Sequence, residues 1–348
     1  MRLAATLVLL LISAVLLPGC SDDDPAGPGG DPRVGVDVGD LPLGTLDPAV
    51  ASGYRLWSPG TPPAQAEVVD YAGSRVIKDP DNTDAEPVVV RVETADQRLF
   101  TFRSLAAADL LGTAGTQPSS GVSVRGTLLG DPVAVNAVDY FGPPGADLRS
   151  YAAQALAGLE LEQLTLEISS TGGAAGDDLA VGFLELARSS TALLRFADVA
   201  EGTFEHVFQG EFELTWPGLD DRPAFLSDPE GRLALADPVR DNLAAAVIDL
   251  ERADGGLFRC DALWAADLDD VDPGDSHNDS LLRLEGFQGD TSLGAEEFTP
   301  TGSADTRFAT VTLQDVEISR LRITLRSYCG SFKCDDLALV ALLLTVSE

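Results

Sequence analysis

Two adjacent carboxylates occur twice at the same kind of place. Asp177-Asp178 opens the apolar run Leu179-Ala180-Val181, and Asp335-Asp336 opens Leu337-Ala338-Leu339. Paired carboxylates at the mouth of a strand can cap a hairpin by accepting loop amides. They can also supply oxygen ligands to a hard cation such as calcium. A denser acidic run, Asp267 to Asp279, lacks the Asp-x-Asp-x-Asp-Gly register and terminal Glu of a calcium loop and reads as a solvated segment.

Other catalytic chemistry finds little footing. The histidines are His206 and His277, and neither has a His, Cys or Ser partner at a recognisable spacing. There is no His-x-x-x-His pair, no Gly-x-Ser-x-Gly elbow and no Gly-rich phosphate loop. Carboxylate pairs could serve a glycosidase, but an acid-rich surface supplies such pairs by accident. The chain therefore reads as a non-enzyme. Trp57, Trp216, Trp264, Tyr71 and Tyr140 could stack on sugar rings or equally fill a core.

Of four cysteines, Cys260 sits in an apolar strand pattern and reads as a buried free thiol. Cys329 and Cys334 flank Gly330-Ser331-Phe332-Lys333, and an exported chain permits a disulfide between them. Two sulfurs alone would not complete tetrahedral zinc. Cys20 belongs to the leader. Met1-Arg2, the apolar run Leu3 to Leu17 and Leu17-Pro18-Gly19-Cys20 form a secretory signal that resembles a bacterial lipobox, with Pro18 atypical there. The expectation is a signal peptide over 1–19, acylation of Cys20 and a Gly/Pro/Asp tether over 20–33. This places the protein at a membrane, the outer membrane or cell surface in a two-membrane host.

The elements that must hold these residues are strands. Val88 to Val92, Leu99 to Leu105, Val122 to Leu129 and Leu159 to Ile168 are short apolar or alternating runs punctuated by Gly, Pro, Asn and Asp. Helical spacing is nearly absent, with one helical turn conceivable over 106–111. Positions 158 residues apart match along the whole chain. Tyr54, Leu56, Asp79 and Asp109 answer to Phe212, Leu214, Asp237 and Asp267. The expected fold class is all-β, with two tandem β-sandwich (jelly-roll-like) domains from internal duplication, over 34–191 and 192–348. The strands Leu179 to Leu186 and Leu337 to Val346 are apolar on both faces, so each should be covered on both sides.

Gly202-Thr203-Phe204-Glu205 before Trp216, the Phe258 and Gly286 strands and the closing Asp335-Asp336-Leu337 resemble the galactose-binding-like jelly roll. That group includes many carbohydrate-binding modules. The resemblance implies a structural calcium joining an acid near the first strand to an Asp opening the last. Here that means Asp47 with Asp178, and Glu205 with Asp336. Sugar binding is implied in the same way.

Net charge excludes one large class of partner. With 23 Lys+Arg against 56 Asp+Glu the formal charge is −33, so nucleic acid and other polyanions are not ligands. A glycan or a cell-envelope protein is expected instead. A structural spacer without a small ligand is the alternative, and a glycoside-active enzyme the remoter one.

Overall fold

The computed structural model describes residues 35–347 except 62–64, 72, 81–85, 111–120, 139–144, 171–178, 197–198, 219–221, 228–232, 239–243, 268–280, 301–303, 330–333 and 336. Of 136–138, 145–147, 227, 328–329 and 334–335 only the backbone is described.

The chain begins with β1 (Gly35–Asp37), β2 (Gly44–Thr45), β3 (Ala49–Ala51), β4 (Tyr54–Trp57), β5 (Glu67–Tyr71) and β6 (Ser74–Lys78). Then come β7 (Val88–Thr94), β8 (Arg98–Asp109), β9 (Gly121–Leu128), β10 (Asp131–Val138), β11 (Gly145–Ala152) and β12 (Gln163–Ser169). A 17-residue strand, β13 (Leu179–Arg195), leads into the second half. There follow β14 (Gly202–Thr203), β15 (His206–Gln209), β16 (Phe212–Thr215), β17 (Ala224–Ser227), β18 (Leu233–Ala236), β19 (Ala246–Arg252) and β20 (Phe258–Asp267). The last are β21 (Leu281–Gln288), β22 (Thr291–Phe298), β23 (Thr306–Ala309), β24 (Arg320–Arg326), β25 (Tyr328–Cys329), β26 (Cys334–Asp335) and β27 (Leu337–Val346). Two short 3-10 turns, at Val38–Asp40 and Gln154–Leu156, are the helical elements among the described residues. The turn conceivable over 106–111 is not formed over its described part, because β8 runs through to Asp109.

The strands make two tandem β-sandwiches that share one layer. A 13-stranded antiparallel sheet runs through both repeats. A six-stranded sheet, β10-β9-β12-β7-β4-β3, covers it in the first repeat, and β15-β16-β19-β24-β21-β22 covers it in the second. Alternation explains the layering. β12 and β24 both read as one residue half-buried and the next buried, so Leu164, Leu166 and Ile168, like Leu321, Ile323 and Leu325, point into their cores. Each repeat closes its own core, the first around Tyr54, Phe100, Phe102 and Leu166, the second around Phe212, Phe258, Cys260 and Leu342.

The ladders repeat with their irregularities. β8 meets β13 with bulges that set Ala107 on Val181, Ala106 on Phe183, Ser104 on Glu185 and Phe102 on Leu186. β20 meets β27 with Ala265 on Leu339, Trp264 on Ala341, Ala262 on Leu343 and Cys260 on Leu344, the same register 158 residues on. The bulge in β10 at Pro132/Ala134 recurs in the β21–β22 pairing.

One ladder joins the halves. β1 pairs with β13 as Gly35↔Glu185 and Asp37↔Phe183, while the end of β13 pairs with β27 as Leu193↔Leu343 and Arg195↔Ala341. The tail of β13 is thus the first strand of the second repeat, running on without a break from the last strand of the first. The boundary expected at 191/192 falls inside this strand, and residues 34–348 form a single compact unit.

The outer face of the second repeat's half-sheet is apolar and covered. Leu193, Ala236, Ala262, Trp264, Val340 and Ala341 pack with Leu99 of the first repeat, and Leu128 and Leu129 press on the same cluster. β27 is therefore apolar on both faces because both faces are buried. This seam is flanked by polar bonds between repeats. Arg98 donates twice to Glu211, at 2.9 and 3.3 Å, and Gln97 Nε2 donates to Gln209 Oε1 at 2.7 Å.

Candidate functional site: a cleft at the seam

A cleft of about 360 Å³ opens where the first repeat's six-stranded sheet meets the end of β13. That volume falls within the roughly 300–1,000 Å³ of small-molecule sites. β4 contributes Arg55 and Trp57, β7 contributes Glu93, the turn after it Gln97, β8 contributes Arg98, β12 and the residue before it contribute Gln163 and Glu162, and β13 contributes Leu193 and Arg195. Period-two alternation explains the polar lining. Tyr54 and Leu56 of β4 are buried, so Arg55 and Trp57 must face outward.

Trp57 is half-buried, with the Arg55 guanidinium 5.2 Å from its ring centroid. Arg55 also donates to Glu93 at 3.1 Å. Arg195 pairs with Glu162, whose other oxygen accepts the Leu129 amide at 2.6 Å. Arg98 is held by Glu211 of the second repeat. A flat apolar ring thus stands among fixed donors and acceptors of both signs. This arrangement suits a neutral ligand rich in hydroxyls, whose rings stack and whose oxygens both donate and accept.

The counterparts in the second repeat have other chemistry. At the positions of Arg55, Trp57, Gln97 and Arg98 stand Glu213, Thr215, Gly255 and Gly256. The lining of the cleft is therefore not repeated at these positions of the second repeat.

Among solved structures, the similar ones include tandem carbohydrate-binding modules of a family 98 glycoside hydrolase from Streptococcus pneumoniae, at 9% identity over 90% of this chain and 99% of that one, TM-score 0.24. A fucolectin from striped bass serum is 10% identical over 76% and 84%, TM-score 0.23. An allantoicase from Saccharomyces cerevisiae is 8% identical over 78% and 80%, TM-score 0.25. These likenesses add nothing to what the strand pairing already shows. Neither a family profile nor a curated protein sequence matches the chain.

The residues singled out in the sequence are distributed as follows. Trp264 lies in the seam, 9% exposed, with Arg307 over its ring at 5.5 Å. Trp216 is half-buried beneath Arg222 at 5.4 Å. Tyr71 donates to the Leu110 carbonyl at 2.8 Å, and Tyr140 lies outside the described residues. Of the expected calcium ligands, Asp47 is exposed in the loop after β2, its amide donating to Thr45. Glu205 is exposed and its carboxylate is engaged by Arg222. Asp178 and Asp336 lie outside the described residues, and no group of three metal-binding side chains occurs among those described. His206 pairs with Glu213 at 2.6 Å and stacks edge-on against Phe208.

Cys260 is fully buried and free, and burial pushes its thiol well above the ordinary range. The β25–β26 ladder sets Cys329 directly opposite Cys334, with the loop between them outside the described residues. Cys20 and the leader also lie outside.

Sequence reasoning did not single out Arg55, Glu93, Gln97, Arg98, Glu162 or Arg195. Their outward register on β4 and β7 was readable from alternation, but their convergence depends on the fused strand. Four acids that sequence reasoning saw only as matched positions, Asp79, Asp109, Asp237 and Asp267, are buried, so Asp267 is not part of a solvated run. Asp109 stands opposite Leu179 at the head of β13, and Asp267 opposite Leu337 at the head of β27.

Proposed function

We propose that this chain is a non-catalytic binding protein, exported and held at a membrane by acylated Cys20, whose two β-sandwiches present one glycan site at their seam. The observation that carries this reading is Trp57, half-buried and lining a cleft with Arg55, Glu93, Gln163 and Glu162. A ring face beside hydroxyl-binding groups is what a sugar requires. Both cleft carboxylates already engage arginines, Glu93 with Arg55 and Glu162 with Arg195, which supports binding rather than catalysis. The acidic surface supports a neutral glycan over a polyanionic one.

A second reading, a rigid spacer in the cell envelope, is favoured by the unbroken β13, which joins the two sandwiches through one continuous sheet. Immobilised glycans separate the two. The binding reading expects residues 34–348 to select a subset of neutral oligosaccharides, and Trp57→Ala to lose at least tenfold in affinity. Absence of binding across a broad set would leave the spacer.

A further inference from the structure

Among the described residues, three non-glycine residues hold left-handed backbone: Ser52, Gln97 and Leu129, with φ of 53°, 62° and 55°. A side chain there meets its own backbone, so such positions favour glycine. Their counterparts in the second repeat are Gly210, Gly255 and Gly289, with φ of 58°, 73° and 59°. The turns are the same; the residues differ according to which way each end faces.

Leu129 and Gln97 sit on the end of the first repeat that meets the second. Leu129 packs on the seam cluster and Gln97 bonds Gln209. The strained backbone is kept where a side chain is needed for contact. Gly255 and Gly289, on the outward end of the second repeat, carry none. At the third position the need is reversed. A Cβ on Gly210 would stand 2.6 Å from the Asp96 carbonyl oxygen across the seam, so this position must be glycine, whereas outward-facing Ser52 is exposed.

The sheet faces follow the same rule. Where the second repeat buries Ala236 and Trp264 in the seam and packs half-buried Leu343 against it, the first repeat has Lys78, Ala106 and Glu185, and Glu185 accepts from Ser104 at 2.7 Å. Leu193 and Val340 answer to Gly35 and Gly182. Those two glycine notches are filled from within the first repeat, by Phe183 over Gly35 and Leu148 over Gly182. At the far end, Leu128-Leu129 is replaced by exposed Gln288-Gly289.

We propose that the two repeats form a closed, directional pair whose outward ends are capped against the head-to-tail contact that joins them. The partner each cap excludes is a second copy of this chain. A head-to-tail contact joins two different surfaces, and unless its rotation closes a ring it grows a filament. Repeat proteins commonly finish with polar outer faces for this reason. The inference rests on the seam and not on the glycan reading.

Residues 34–348, which contain both cores and the whole seam, are suited to the test. Three forms are compared by sedimentation velocity: the unaltered protein, a far-end variant (Gln288→Leu, Gly289→Leu) and a near-face variant (Lys78→Ala, Phe183→Ala, Glu185→Leu). The unaltered protein should sediment as a monomer at every concentration, and a mixture of the two variants should give a species of twice the mass. Gly289→Leu with Glu185→Leu is the milder pair should a multiple variant fail to fold. Self-association of the unaltered protein, or folded variants that mix without forming a complex, would overturn the proposal.

Discussion

At the scale of single residues, the second repeat acts as a control for the first. Tyr54 lies in the first core with its hydroxyl buried and without a hydrogen-bond partner among the described residues, and burial pushes that hydroxyl up to about 12, the charge of Arg188 opposing. The same position in the second repeat is Phe212, edge-on to Phe258 as Tyr54 is to Phe100. A buried donor without a partner contributes nothing that its removal would lose. Tyr54→Phe should therefore leave the unfolding free energy unchanged or raise it by up to about 1 kcal/mol, read from urea denaturation. A clear loss would show that the hydroxyl has a partner. Asp261 supplies a pH-dependent case. Burial raises its carboxyl above the ordinary value, opposed by the Thr345 hydroxyl bond and Arg259 and reinforced by Glu160. The folded state then holds the proton more tightly than the unfolded one, so the group's stabilising contribution is full at low pH and is lost as pH rises through the raised value. Asp261→Asn should gain in melting temperature relative to the unaltered protein between acid and neutral pH, with the two converging in acid. Of these features the sequence showed Cys260 as a buried thiol through its apolar neighbours. It could not show Tyr54 as orphaned or Asp261 as buried, since both depend on what lies opposite in another strand.

At the scale of elements, alternation made most strands readable. The inward leucines of β12 and β24 are as visible in the sequence as in the fold. The short strands β2, β3, β14 and β15 were not, because two to four residues carry too little pattern. Glycines within strands were visible, but their purpose was not. Gly126 in β9 receives Leu161, whose methyl would stand 2.5 Å from an added Cβ. Gly286 in β21 receives Ile318 at 2.7 Å, and the bridges Phe100↔Leu161 and Phe258↔Ile318 anchor the two crossing segments alike. Gly126→Ala and Gly286→Ala should each cost about 1–3 kcal/mol by overpacking. Urea unfolding of each variant checks this; a cost at one site and none at the other would mean that the two crossings are not equivalent.

At the scale of the whole molecule, two repeats were readable from the matched spacing of 158, yet their union was not. A repeat boundary in sequence suggests a linker, and here it lies in mid-strand. Trp264 is the largest side chain committed to the union, and the first repeat has Ala106 in its place. Trp264→Ala should cost about 3–5 kcal/mol and split one thermal transition into two, as the repeats cease to unfold together. A single transition, merely lowered, would mean that β13 alone couples them. The seam also explains why the cleft escaped the sequence reading. Arg195 and Leu193 reach it only because β13 carries straight on from the first repeat into the second, and Arg98 is fixed by a glutamate 113 residues away.

The measurement that bears most directly on the functional claim is the stoichiometry of glycan binding by titration calorimetry on residues 34–348. One site per chain is expected, lost on Trp57→Ala and kept on Thr215→Ala at the equivalent position of the second repeat. Two sites per chain, or one that ignores Trp57, would contradict a single glycan site at the seam.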